Sequence, residues 1–162
     1  TVASGSDQFS TEGWLWSKVA GPAEPAPTLT LDHAPPVDSH GQAVVVVLKN
    51  VDHVESVVSA GNTGTAVAQW DGAPGPTADK DNSLHLLFMT DRVPKREFIP
   101  VPAFDPKVNG GAGSLGNRST AYLGVREAGA SGALGPINIE FVPAGAGNGF
   151  RPHMIAVAVS KG

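Results

Sequence analysis

The stretch SLHLLFMT (residues 83–90) decides the fold class of this chain. Successive side chains of an extended strand alternate between two faces, so Leu84, Leu86 and Phe88 share one face. Leu87 and Met89 share the other face, which is equally apolar. A short apolar run bounded by polar residues is typical of a strand that is buried on both sides. The stretch therefore predicts a strand inside a covered sheet.

Similar apolar runs recur along the chain. Residues 137–141 alternate, which predicts Ile137, Ile139 and Phe141 on the inward face of a strand. Residues 51–61 are ambiguous between a helical stripe and a strand; because valine and serine dominate them, we expect a strand or a short helical turn that leads into one. Further strands are expected at the segments GWLWSKV (13–19), TLTLDH (28–33), QAVVVVLKN (42–50), TAVAQWD (65–71), REFIPVP (96–102, an edge strand), STAYLGVRE (119–127) and HMIAVAVS (153–160). Residues 42–50 are expected to form a central strand, because both of their faces are apolar.

Turn-forming segments separate these runs, in agreement with 20 glycines and 14 prolines among 162 residues. We expect a polar N-terminal arm at residues 1–12, exposed loops at 71–82 and 104–118, and a hairpin loop at 144–149. Nine or ten short strands without a long helix predict an all-β fold. The specific expectation is one domain over residues 1–162, an antiparallel β-sandwich that is jelly-roll-like.

Charge and cysteine content exclude several function classes. Charged residues make up 16% of the chain, the net charge is −4, and the lysines and arginines are scattered. Because nucleic-acid affinity depends mainly on neutralising phosphates, no nucleic-acid partner is predicted. The chain has no cysteine, which excludes disulfides and thiolate chemistry. No apolar run reaches the roughly 18 residues of a membrane span, so no span is predicted.

The tryptophan pair of GWLWSKV is the most distinctive local feature. Trp14 and Trp16 are two residues apart, so a strand places both on one face together with Lys18. Three interpretations stay open for these indoles and for Trp70: the domain core, a contact with a neighbouring chain, or a platform for a sugar ring. Trp14, Trp16, Lys18 and Trp70 are therefore the candidate interface or ligand-contact residues.

Two acidic clusters are candidate metal sites. The segment DHAPPVDSH (32–40) brings together two imidazoles and two carboxylates, which are ligands for zinc and similar ions; these are Asp32, His33, Asp38 and His40. The segment DKDN (79–82) offers Asp79 and Asp81 as oxygen ligands for calcium. In each case the alternative is a solvated turn whose side chains satisfy nearby backbone groups.

Catalytic machinery is not predicted from the residue spacing. No Ser/His/Asp set or pair of catalytic carboxylates is evident, and His85 is interpreted as a partly buried histidine with one hydrogen-bond partner, within an apolar strand. The chain is therefore expected not to be an enzyme and to need no cofactor. Asn117 begins an Asn-Arg-Ser glycosylation sequon, which matters only on a secretory route.

In its strand rhythm the chain resembles an outer surface domain of a non-enveloped virus capsid, of the protruding or cementing type. The resemblance is carried by the connectors AGPAEPAP (20–27) and APPVDSHG (34–41), the loop NGGAGSLGN (109–117) and the closing strand HMIAVAVSKG (153–162). It implies a place on the virion surface, and the absence of a basic arm fits the outside of a shell. A secreted protein is the alternative location.

The resemblance implies a structural or interaction protein that mediates assembly contacts or host attachment. Its expected partners are further copies of itself or other capsid subunits, with a glycan or receptor as a further possibility. The first alternative is a carbohydrate-binding module or lectin, and the second is an enzyme on a β-sandwich scaffold.

Overall fold

The structure is a computed structural model that describes most of the chain. The described residues are 2–6, 12–19, 21–23, 25–26, 28, 43–61, 69–91, 97–114, 117–142 and 152–162. The strand predicted at residues 28–33 and the hairpin loop at 144–149 fall almost wholly outside these ranges.

Within the described ranges the chain forms twelve strands and no helix, which confirms the all-β prediction. No helix there could cross a membrane. The strands are β1 (Val2–Ser6), β2 (Glu12–Trp16), β3 (Val51–Gly61), β4 (Gln69–Ala73), β5 (Thr77–Ala78), β6 (Leu84–Asp91), β7 (Glu97–Val101), β8 (Asp105–Ser114), β9 (Asn117–Glu127), β10 (Gly132–Ala133), β11 (Ile137–Val142) and β12 (His153–Lys161).

Two antiparallel sheets form a β-sandwich. The larger sheet has the order β3-β12-β6-β9-β8, and the smaller has the order β4-β11-β7. The chain crosses repeatedly between them, since β3, β6, β9 and β12 belong to one sheet and β4, β7 and β11 to the other. The last strand also pairs with β3, so the connections are those of a jelly roll. β11 and β12 lie in different sheets.

The core lies between the two sheets. The smaller sheet contributes Ile137, Ile139 and Phe141, all fully buried as the alternation predicts. The larger sheet contributes Leu87 and Met89 from β6 among others. Phe98 meets Phe141 edge-on at a centroid distance of 5.6 Å, which is a favoured arrangement of aromatic rings.

β12 is an interior strand of the larger sheet, in which β6 is the middle one of five, and the prediction of a central strand at residues 42–50 is wrong. Residues 43–48 form no strand, and Val45 and Val47 are exposed. Valine favours extended backbone, but a strand also needs a hydrogen-bonded neighbour. The interior position belongs instead to β12, which is buried from His153 to Ser160.

Three predicted loops contain strands. Much of the loop expected at residues 104–118 is β8, whose residues pair with β9 from Asp105 to Ser114. The predicted polar arm contains β1, which pairs with β2 so that Val2 lies opposite Trp16. The loop expected at residues 71–82 contains the end of β4 and all of β5, with Pro76 and Ala78 buried. Backbone pairing with a neighbour, which composition does not reveal, determines each case.

Candidate functional site

The outer face of the larger sheet carries a second apolar cluster, on the side away from the core. We call it the outer cluster: its buried members are Leu86 of β6 and Ile155, Val157 and Val159 of β12. Partly buried apolar side chains surround it, namely Leu15, Leu48, Val51, Val54, Val57, Leu84, Phe88 and Val125. The cluster exists because β6 and β12 are apolar on both faces, as the stretch at residues 83–90 predicts for β6.

Two segments of the chain cover part of this cluster. Leu15 of β2 and Leu48, just before β3, both pack against it. Leu15 is followed by Trp16, which is 59% exposed. Leu48 is preceded by Val45 and Val47, which are 59% and 80% exposed. We call Trp16, Val19, Val45 and Val47 the apolar margin of the outer cluster. Exposed apolar groups gathered at one place are a feature of interaction surfaces.

Residues 43–48 have an unusual conformation for so apolar a segment. Their burial alternates, with Val44, Val46 and Leu48 partly buried and the residues between them exposed. Within the described part of the chain no backbone hydrogen bond ties this segment to a strand. It is thus extended in pattern, uncharged, and able to offer its N–H and C=O groups to another strand.

Charged side chains lie beside this apolar region at the edge formed by β3. The ammonium of Lys80 lies 3.1 Å from the carboxylate of Asp52, and the imidazole of His53 also lies 3.1 Å from it. Hydrogen bonds from Lys80 and then from His53 lower the pKa of Asp52 below its ordinary value. These groups are exposed, so the pair contributes little to stability.

A polar row crosses the inner face of the larger sheet at one end. Ala158 of β12 lies opposite both Ser56 and His85, and His85 lies opposite Arg126. His85 is only 2% exposed, and neither ring nitrogen has a hydrogen-bond partner within the described residues. Burial, followed by the Arg126 charge, lowers the pKa of His85, while the Glu55 charge opposes this effect. His85 is therefore held as the neutral imidazole.

Glu55 lies close to this row because the strand pairing shifts at that point of β3. One carboxylate oxygen, Oε1, accepts hydrogen bonds from the Ser83 hydroxyl at 2.9 Å and the Lys80 backbone N–H at 3.2 Å. The other oxygen, Oε2, is buried and has no partner in the described region. Ser56 is tied to β5, since its hydroxyl donates to the Thr77 carbonyl at 2.7 Å and accepts from the Thr77 N–H at 2.8 Å.

The structure separates the predicted contact residues. Trp70 of β4 is 7% exposed and lies in the core, so its indole is not available to a ligand or partner on the surface. Lys18 is exposed, and Trp16 lies on the apolar margin. The backbone of Trp14 lies in β2 opposite Ser4. Asn117 of the sequon begins β9, opposite Ser114.

The predicted metal ligands have two outcomes. Asp32, His33, Asp38 and His40 lie outside the described residues. Asp79 and Asp81 are described, but no group of three or more potential ligands forms within the described ranges. Asp81 instead accepts a hydrogen bond from the Ser131 N–H at 2.7 Å, as the interpretation of a satisfied turn expects.

Sequence inspection missed two parts of these sites. The exposed positions of Val45 and Val47 were hidden by the uniform valine run, which carries no signal of its missing partner strand. Glu55 and Arg126 could not be singled out, because each of their strands carries other charges as well, such as Asp52 in β3. Which of these charges lies near His85 depends on strand register.

Comparisons with protein-family models, curated proteins and solved structures give no match to this chain.

Proposed function

We propose that this chain is a structural interaction domain without catalytic activity, and that it assembles through its apolar margin. The observation that supports this most is the apolar margin, whose side chains stay exposed beside the outer cluster. Covering Trp16, Val45 and Val47 with a partner would remove exposed apolar surface from water, which is the main driving force of association.

The first partner we propose is a second copy of this chain. Residues 43–48 are uncharged, so two copies can approach along this segment without repulsion between like charges. Antiparallel pairing would supply the missing backbone partners and place valine against valine, a favourable cross-strand combination. Such a contact is isologous and closes as a dimer about a two-fold axis.

The finer proposal is that the domain sits on the surface of a non-enveloped virus capsid, where it makes assembly contacts or attaches to a host. The jelly-roll connectivity supports this, because capsid domains use that fold. Lectins and cupins use it too, and a fold alone does not decide function. Support for assembly therefore comes from the apolar margin, and support for a capsid comes from the connectivity.

Size-exclusion chromatography with light scattering, over a hundredfold range of protein concentration, tests the assembly. We expect the mass of the wild type to rise with concentration toward that of a dimer. Val45→Lys places a charge on the margin and should keep the protein monomeric. Val101→Lys is the matched control, because Val101 is equally exposed at 59% but lies on β7 of the other sheet. A wild type that stays monomeric throughout, or two variants that behave alike, would refute this assembly surface.

Carbohydrate binding is the second candidate function, and the exposed indole of Trp16 favours it. An exposed aromatic ring beside polar side chains such as Lys18 can stack on a sugar. A glycan array tests it, with Trp16→Ala as the variant that should lose any signal. Binding that survives this substitution would rule out Trp16 as the platform.

A further inference from the structure

We propose that His85 is an acid-sensitive latch, whose protonation weakens the end of the sandwich closed by β5 and β10. This inference is separate from the assembly surface, since His85 lies on the inner face of the larger sheet. It depends on how the imidazole is enclosed.

His85 is enclosed on the inner face of the larger sheet. Its neighbours along the polar row are Ala158 and Arg126. β5 contacts both β3 and β12, and β10 pairs with β5 across Ala78 and Gly132. The Leu134 N–H donates to the Pro76 carbonyl at 2.9 Å, which holds the two short strands together. β5 thus covers this end of the inner face, because Ser56, which lies opposite Ala158, exchanges hydrogen bonds with Thr77. We call β5 and β10 together the β5–β10 closure.

The groups that face His85 favour the neutral ring. β9 presents the Arg126 guanidinium directly opposite it, and β12 presents only the methyl group of Ala158. β3 presents Glu55, whose Oε1 is already engaged by Ser83 and Lys80. β5 contributes the uncharged residues Thr77 and Ala78. Within the described residues neither ring nitrogen has a hydrogen-bond partner, and the buried Glu55 Oε2 has none either.

Protonation of His85 would thus place a buried cation opposite the Arg126 guanidinium, and the Glu55 charge offsets this only in part. A buried charge that is incompletely paired is costly, and the imidazolium is relieved by reaching water or an anion. β5 lies over the inner face beside Ser56 and contacts β12, so displacement of the β5–β10 closure is the opening that would admit water. Acid should therefore loosen this closure before it unfolds the remaining core.

The direction of the pH effect follows from proton linkage. Burial lowers the pKa of His85 in the folded state, whereas the unfolded chain has the ordinary histidine value of about 6.5. Below about pH 6.5 the unfolded state therefore binds more protons than the folded state, so stability falls as the pH falls. The folding equilibrium constant loses up to about tenfold per pH unit until the pH passes the folded pKa.

Urea unfolding between pH 7.5 and pH 5 tests the latch on the whole chain. We expect the folding equilibrium constant of the wild type to fall as the pH is lowered. For His85→Leu we expect a smaller fall, and the difference should reach up to about tenfold per pH unit. The matched control is His53→Gln, which removes an exposed histidine on β3 and should retain the wild-type loss. Equal pH dependence in the wild type and in His85→Leu would overturn the proposal.

A second measurement uses the unmodified protein, in case His85→Leu does not fold. NMR titration of the imidazole protons should give His85 a pKa below about 6.5. Hydrogen exchange, corrected for its intrinsic pH dependence, should show protection of the Leu134 amide falling in acid before that of the β12 amides. A His85 pKa at or above the ordinary value, or uniform loss of protection, would overturn the latch.

Discussion

Replacing Gly124 with alanine should destabilise the domain, because the space that a side chain would need is already filled. Gly124 lies on β9 between Leu87 of β6 and Pro106 of β8. A Cβ atom built there would lie 2.4 Å from the Tyr122 hydroxyl oxygen and 2.7 Å from Tyr122 Cε1. It would also lie 2.7 Å from the Cβ of Phe104, which is bonded directly to the backbone and cannot swing aside.

The tyrosine ring cannot yield easily. Tyr122 is 1% exposed and meets Phe98 edge-on at a centroid distance of 6.1 Å. Burial raises the pKa of its hydroxyl to about 12, so the side chain stays neutral and packs as part of the core. Overpacking of this kind costs about 1–3 kcal/mol. For a chain of this length that corresponds to a melting temperature lower by roughly 2–12 °C.

Urea and thermal unfolding of Gly124→Ala at pH 7.5 measure this cost. The matched control is Gly110→Ala on the adjacent strand β8, where a Cβ would meet nothing within 4 Å. That substitution should be neutral or stabilise by up to about 1 kcal/mol, because it reduces the freedom of the unfolded chain. In a Tyr122→Leu background the cost of Gly124→Ala should shrink, since two of the three crowded atoms are absent. Equal stability of the two glycine variants would refute the predicted packing.

Two further substitutions test other parts of the fold by the same unfolding measurements. Trp70→Ala should cost about 3–5 kcal/mol, because it empties a large buried volume in the core, and a loss below about 1 kcal/mol would mean that the indole is not packed there. Gly75→Ala should destabilise the β5–β10 closure, because its Cβ would lie 2.1 Å from the Gly135 carbonyl oxygen, a backbone atom; an unchanged melting temperature and unchanged protection of the Leu134 amide would contradict this.

Strands with a strict alternation could be predicted from the sequence. The pattern at residues 137–141 places Ile137, Ile139 and Phe141 inward, and all three are buried. β6 is confirmed as a strand covered on both faces, and β7, which contains Pro100, as an edge strand of the described sheet. In these strands the hydrophobic pattern and the tertiary environment agree, so local information suffices.

β8 and residues 43–48 could not be predicted, for opposite reasons. The glycine-rich segment at 109–114 has low strand propensity, yet backbone bonds to β9 hold it at the edge of the larger sheet. The valine run at 44–47 has high propensity, yet no strand lies beside it within the described residues. Propensity is a property of a segment, whereas pairing depends on which strand arrives next to it.

The candidate site depended on the same non-local information. Two of the three interpretations of the tryptophan pair place Trp16 outside the core, but nothing in GWLWSKV shows that β1 pairs with β2. His85 was recognised as a histidine within an apolar strand, but its opposite neighbour, Arg126, lies 41 positions further along the chain. The charge that acts on a buried group is thus set by strand register, which spacing along the sequence does not contain.

The two apolar faces of the larger sheet are covered by different parts of the chain. The inner face is covered by a whole second sheet, whereas the outer cluster is covered by Leu15, Leu48 and their neighbours. Burial is worth about 25 cal/mol per Å² of apolar surface, so a partner that covers the exposed side chains of the apolar margin gains free energy. A charge introduced at Val45 should therefore weaken association more than folding, whereas Gly124→Ala should weaken folding and leave the surface unchanged. A variant set that showed the reverse would mean that the outer face, and not the inner one, holds the domain together.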